Sequence, residues 1–272
     1  MNAAPWAERF AHGLSPCWRL ALPGGGRLET GPEGLRLCNP VATGHAYTNA
    51  QIDDYQSLPR SRFPWHPPLR LVLRARFSRP GPQAGGPPET WLTGTAGFGF
   101  WNDPFLMTGL RAPALPQAVW FFYAGPRSNM ALDLHTPGWG WKAATIDARR
   151  WPFLALAPAS PLAIPFMRIP WLHRWLWPLG QRAIGVEERR VPGSMDAWRI
   201  YAIDWRADSV GFFVDGRLLL RTRHAPAGPL GLVLWIDNQF MQVTPWGRFR
   251  WGLVEKTAPQ WLEVDWLSVE PG

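Results

Sequence analysis

The stretch WRIYAIDWRADSVGFFVDGRLLLRT, from Trp198 to Thr222, decides the fold. Three short runs rich in aromatic and aliphatic residues begin within it, Trp198 to Trp205, Val210 to Val214 and Leu218 to Arg223, the last ending one residue beyond it. Asp215-Gly216 stands between the last two runs, and such a pair signals a hairpin because a two-residue turn needs positive φ at its centre. Upstream, Leu69, Leu71, Leu73 and Ala75 alternate with Arg70, Arg74 and Arg76, so Leu69 to Ser78 is predicted as a strand with its arginine face outside. Tyr47 to Gln56 is a further strand, while Gly97 to Trp101 and Gln117 to Ala124, apolar on both faces, are central ones. From Cys17 to Leu37, apolar runs broken by Gly24, Gly25 and Gly26 and by Gly31 and Pro32 form a β-meander. Gly231 to Ile236 and Trp261 to Val269 close the chain as strands. The sum is an all-β fold, a two-sheet antiparallel β-sandwich of the jelly-roll kind, with all 272 residues in one domain.

Composition agrees with short strands. The 27 glycines and 30 prolines are spread along the chain, which suits tight turns and opposes long helices. Nineteen tryptophans serve both cores and stacking platforms, since indole joins a large apolar surface to one N–H donor. The net charge of +8 is carried by arginine, because Lys142 and Lys256 are the only lysines. That balance favours anionic partners. With no basic helix, RNP-type strand or metal finger in view, nucleic acid is not expected among them. Cys17 and Cys38 are placed on neighbouring strands of the N-terminal hairpin. No basic segment followed by an apolar run opens the sequence, so the expectation is a cytoplasmic protein with two buried thiols, pairing only if secreted. Two such cysteines exclude a Cys-rich zinc site, and no metal or cofactor is expected.

One stretch breaks the strand pattern. No acidic residue lies between Asp147 and Glu187, and 151–184 is an apolar insertion punctuated by Pro152, Pro158, Pro161, Pro165, Pro170 and Pro178. The prolines rule out one continuous membrane-spanning helix, because each removes a donor that lipid cannot replace. Trp171, Arg174, Trp175 and Trp177 suit three roles: a lid over the domain's own cleft, a contact with a membrane interface, or a subunit contact. The localisation expected is therefore cytoplasmic and peripheral to a membrane if the second role holds, and the oligomeric state stays open.

Five segments, in order, resemble the family-16 glycoside hydrolases of the concanavalin A-like lectin/glucanase superfamily. They are YTNAQIDDYQ with LRLVLRARFS, GFGFWNDPF, the Trp198 to Thr222 stretch, LGLVLWIDNQF and LEVDWLSVEPG, and together they span about four fifths of the chain. The resemblance implies a sheet carrying E-x-D-x-(x)-E, with two glutamates as nucleophile and acid/base. Retaining hydrolysis needs two such carboxyl groups about 5 Å apart. By order, the matching strand is PQAVWFFYAG, which has no acid. Alignment of the leading Glu with Gln117 puts the other two positions on Val119 and on Phe121 or Phe122. Family-16 glycosidase activity is therefore not expected.

The preferred reading is a non-hydrolytic binding protein for an apolar or amphipathic small molecule, such as a lipid, isoprenoid or pigment. Its aromatic cleft is expected to be lined by Trp101, Asn102, Asp103, Gln117, Val119, Phe121, Tyr123, His135, Trp235 and Asn238. Two alternatives stand beside it. One is a lyase or isomerase using Tyr123, His135 and Arg127, with Asp133 orienting His135 if they share a strand face. The other is a non-catalytic carbohydrate-binding protein. Gly97 and Gly99 are strand glycines whose use is close packing or ligand approach.

Overall fold

The computed structural model describes residues 5–104 and 111–272. Two sheets stack on one apolar core. The first runs in the order β13 (Arg217–Thr222), β12 (Val210–Val214), β11 (Arg199–Trp205), β6 (Leu69–Phe77), β17 (Gln260–Pro271), β4 (Gly34–Asn39) and β3 (Arg27–Gly31). β1 (Trp6–Glu8) pairs with β17 off this path. The second sheet runs β10 (Glu187–Arg190), β9 (Gly140–Asp147), β8 (Gln117–Ala124), β7 (Thr95–Trp101), β14 (Gly231–Asp237), β5 (Asn49–Asp53) and β2 (Arg19–Ala21). A separate hairpin joins β15 (Gln239–Val243) to β16 (Phe249–Leu253). Every strand pair in these sheets is antiparallel, and the fold is the expected jelly-roll sandwich.

Side-chain parity builds the core. On β6 the leucines and Ala75 are buried while the intervening residues, three of them arginines, stay partly exposed. Arg74 pairs with Asp265 at 2.6 Å and Arg76 with Glu263 at 2.5 Å, both from β17. The facing sheet sends in Phe98 and Phe100 from β7, Phe121 from β8 and Trp141 from β9. Phe98 meets Tyr201 of β11 edge-on at 5.1 Å, and Phe121 meets Phe212 of β12 at 5.4 Å. Each such ring contributes about 1.5–3 kcal/mol by leaving water. At the β12–β13 turn, Asp215 and Gly216 take φ of 50° and 76°, the geometry that their sequence announced.

Two expectations change at the N-terminus. β2 joins the second sheet while β3 and β4 join the first, so the segment from Cys17 to Leu37 crosses between layers and is no simple meander. The crossing passes Gly24–Gly26, where a Cβ on Gly26 would lie 1.8 Å from the Asn49 carbonyl oxygen, a closeness only glycine allows. Cys17 is exposed and precedes β2, Cys38 is half-buried on β4, and both are free thiols. They are not the buried pair that the hairpin reading implied.

The insertion forms three helices, α1 (Trp151–Leu156), α2 (Ser160–Phe166) and α3 (Pro170–Ile184), between β9 and β10. Pro152, Pro161 and Pro170 fall in the first two positions of these helices, where a missing N–H costs nothing. α3 reaches 15 residues, longer than the proline content suggested, and ends on Gly185 in the left-handed conformation. No helix among the described residues is long and apolar enough to cross a membrane.

Candidate functional site

A cleft lies on the face of the second sheet turned away from the core, with empty space of about 1180 Å³ including its open mouth. Strand parity sets its floor. On β8, Val119, Phe121 and Tyr123 point into the inter-sheet core, so Ala118, Trp120 and Phe122 point into the cleft. On β7 and β14 the same alternation presents Trp101 and Trp235. These rings form one continuous patch. Trp101 and Trp235 are stacked at 7° with centroids 6.4 Å apart, and Trp120 lies 5.7 Å from Trp101, 5.5 Å from Trp235 and 5.0 Å from Phe122.

The glycines of β7 make this patch possible. A Cβ on Gly97 would stand 2.8 Å from the Trp235 ring, and one on Gly99 would stand 2.6 Å from Trp120 Cα. Gly99 also has φ +142°, which side chains rarely adopt. Their use is close packing, one of the two expected. Met130, Leu132, Ile146, Val186, Phe240 and Met241 complete apolar walls.

The β5 side of the cleft is polar. Asn49 Nδ2 donates to Gln51 Oε1 at 3.3 Å, and Gln51 Nε2 donates to Asp53 Oδ2 at 2.9 Å. Asp53 also accepts from Gln56 Nε2 and from the Tyr55 and Gln56 amides. Beside this ladder, Trp235 Nε1 donates to Thr95 Oγ1 at 3.0 Å, and Thr95 Oγ1 donates to Asp237 Oδ1 at 2.9 Å. Burial pushes the Asp237 carboxyl upward against those hydrogen bonds and nearby Lys256, whose own ammonium is pushed down to about 7 by burial. Asp147, at the far end of β9, accepts from Gln117 Nε2 at 2.8 Å, and burial raises it too. Glu188 of β10 is raised by burial and held by Lys142 at 2.6 Å.

Of the residues singled out from sequence, Trp101, Gln117 and Trp235 line the cleft. Val119, Phe121 and Tyr123 do not. They belong to the core, and the Tyr123 hydroxyl donates to the Leu92 carbonyl oxygen at 2.6 Å. The strand is apolar on both faces, so its alternation carried no sign of which set looked outward. Asn102 and Asp103 are tied into the fold: Arg60 donates to both their carbonyl oxygens, and Arg111 pairs with the Asp103 carboxylate at 2.7 Å. Phe105, from the same quoted segment, lies outside the described residues. Asn238 donates to Ala46 and Val254 carbonyl oxygens and accepts from the Thr48 amide, a role in loop anchoring.

Asp133 and His135 sit in a bend, not a strand. The Asp133 carboxylate accepts from the His135 amide at 2.7 Å, from Gln181 Nε2 and from the Glu188 amide, while His135 itself is exposed. Arg127 lies over the Phe240 ring at 5.0 Å. Tyr123 in the core and His135 on a surface bend therefore do not converge with it on one site. Trp171, Arg174, Trp175 and Trp177 are absent from the cleft lining; the first three are exposed, and Trp177 Nε1 donates to the Leu132 carbonyl oxygen at 2.7 Å. The insertion flanks the cleft without covering its floor. Among the described residues no group of three or more His, Cys, Asp or Glu is arranged to hold a metal ion.

Sequence reasoning missed Trp120, Gln51 and Thr95, and named Phe122 only as one of two positions for the family's second glutamate, not as part of the lining. Small Gly97 and Gly99 on the adjoining strand were the available signal, since bulky rings on one strand need room on the next.

No family model matches the sequence, and no curated protein matches it. Solved structures do match. An endo-acting O-glycanase of the human gut microbiota aligns at TM-score 0.54 and 11% identity over 97% of this chain and 98% of the other. A prokaryotic β-1,3-1,4-glucanase (lichenase) from a mouse hindgut metagenome aligns at 0.52 and 13%, over 99% and 100%. The Crh5 transglycosylase in complex with NAG aligns at 0.52 and 13%, over 100% and 85%. What this chain shares with these structures is the fold, a two-sheet antiparallel jelly-roll sandwich.

Proposed function

We propose that this glucanase-type sandwich is a non-hydrolytic binding protein whose cleft takes an apolar or amphipathic small molecule. The observation that carries the reading is the floor made by Trp101, Trp120, Phe122 and Trp235. Apolar contact there is worth about 25 cal/mol per Å² removed from water. A sugar hydroxyl facing the same rings without a partner costs about 1–3 kcal/mol. The alternate cleft-facing positions of β8 are Ala118, Trp120 and Phe122, so the strand on which the family resemblance places its carboxylates offers none, one residue along from the positions read in sequence.

Asp53 and Asp237, on neighbouring strands of the polar side, are spaced wrongly for glycoside hydrolysis. Asp53 stands opposite Val233 on β14, and Asp237 lies four residues further along that strand. At about 3.3 Å per residue they are roughly 13 Å apart along the strand, beyond the roughly 5–9.5 Å used by retaining and inverting enzymes.

The polar ladder Asn49–Gln51–Asp53 beside Trp235 favours a second reading, a non-catalytic glycan-binding site. The two are separated by organic extraction of the purified protein with mass spectrometry, and by intrinsic Trp fluorescence titrations with a naphthalene-sulfonate dye and with soluble β-glucan oligosaccharides. Extracted ligand or dye uptake abolished by Trp120→Ala supports the apolar reading. Saturable oligosaccharide binding with neither of these overturns it in favour of the glycan.

A further inference from the structure

The insertion presents its apolar side to solvent, the reverse of an ordinary surface helix. Sixteen large hydrophobic residues are exposed among the described residues, and nine of them fall within residues 151–184. Trp151 and Leu162 are each 76% exposed, Trp175 73%, Trp171 67%, Leu179 61% and Phe166 54%. On α3, Trp171, Trp175 and Leu179 recur every four residues and form one stripe, edged by Arg174 and Arg182.

The opposite face of α3 is already seated. Trp177 is bonded to the Leu132 carbonyl oxygen, Gln181 Nε2 donates to Asp133 Oδ2 at 3.0 Å, and His173 meets Trp246 edge-on at 5.4 Å. The outward orientation is therefore set by the fold and leaves no second apolar face for the sandwich to bury. Phe249 and Trp251 on β16 are also more than 60% exposed.

Charge selects the occupant. No Asp or Glu occurs from Ala148 to Val186, while Arg168, Arg174 and Arg182 are exposed and take part in none of the ion pairs among the described residues. A second copy would bring two faces of like charge together, in a chain that already carries +8. An anionic bilayer complements both properties. Indoles lie at the depth of the headgroups, short helices enter in the plane of the interface, and guanidinium groups meet phosphate.

We infer that α1–α3 form an in-plane docking surface for an anionic lipid bilayer. This surface stands apart from whatever the cleft holds. It adjoins the cleft, since Leu132 and Val186 line the cleft while Leu132 also anchors Trp177.

The test mixes the full chain with vesicles of phosphatidylcholine alone and of phosphatidylcholine with phosphatidylglycerol, some carrying brominated acyl chains, and follows co-sedimentation and Trp fluorescence. The expected result is binding to the anionic vesicles that weakens with salt, and quenching by the brominated lipid. Trp171→Ser/Trp175→Ser should lower partitioning at least about tenfold with unchanged far-UV circular dichroism. Arg174→Glu/Arg182→Glu should weaken binding to anionic vesicles only. The inference is overturned if neither vesicle binds, or if the Trp double variant partitions like the parent. It is overturned equally if light scattering shows that the double variant merely splits a dimer that never bound vesicles.

Discussion

Gly97 and Gly99 decide how the aromatic floor is laid. Without a Cβ at 97, the Trp235 ring lies against the β7 backbone; with one, the new carbon would fall 2.3 Å from the Phe121 carbonyl oxygen and 2.8 Å from the ring. Gly97→Ala is expected to cost about 1–3 kcal/mol through overpacking, read from the urea midpoint, and to displace Trp235 in the near-UV spectrum. Lys142 and Glu188 pose a different problem. Lys142 is fully buried, so Lys142→Met should cost about 3–5 kcal/mol by leaving Glu188 uncompensated, whereas Lys142→Met/Glu188→Leu should recover most of it. Carboxyl groups raised by burial also give stability a sign with pH. Asp54 is pushed up to about 7, so between roughly pH 4 and 7 the folded chain keeps a proton that the unfolded chain has lost. Its contribution is full below pH 4 and disappears as pH rises through 7, and Asp53, Asp147 and Glu188 are shifted in the same direction. Melting temperature should fall between pH 4 and 7, and Asp54→Asn should flatten that slope; an unchanged slope would remove Asp54 from the account.

At the scale of elements, alternation in β6 and the Asp215-Gly216 turn were legible because each has one signal and one structural solution. β8 was not legible in its facing, although its bounds were, because both of its faces are buried. β9 was missed altogether. GWKAATID is rich in small residues and carries a lysine, and it becomes a strand by pairing along its whole length with β8. The helices of the insertion are joined to the sandwich at two adjacent strand ends, since β9 and β10 pair from Thr145 opposite Glu187. Replacing residues 151–184 by a short Gly/Ser linker is therefore expected to leave the β-sheet circular dichroism intact while abolishing vesicle binding. Loss of the sheet signal would show that α3, through Trp177 and Gln181, is needed for folding.

For the whole molecule, likeness at 11–13% identity to a glucanase, an O-glycanase and a transglycosylase concerns the sandwich and leaves the chemistry of the cleft to this chain's own residues. On the proposed reading, reducing-sugar release from mixed-linkage β-glucan is expected to stay at the buffer level, because the cleft-facing positions of β8 are Ala118, Trp120 and Phe122 and carry no carboxylate. Measurable turnover would reverse the functional reading. The polar and aromatic halves of the cleft run side by side, which suits a ligand with one hydrophilic edge.

By itself the sequence determined the sandwich, the arginine-faced strand, the hairpin turn and the acid-free insertion, because periodicity, turn chemistry and composition are local. Only the tertiary structure decided which face of β8 lines the cleft and where Trp171, Trp175 and Trp177 point. Both depend on tertiary partners: Phe121 turns inward against Tyr201 and Phe212 of the facing sheet, Tyr123 turns inward where the Leu92 carbonyl oxygen accepts its hydroxyl, and Trp177 turns inward because Leu132 offers it a carbonyl oxygen.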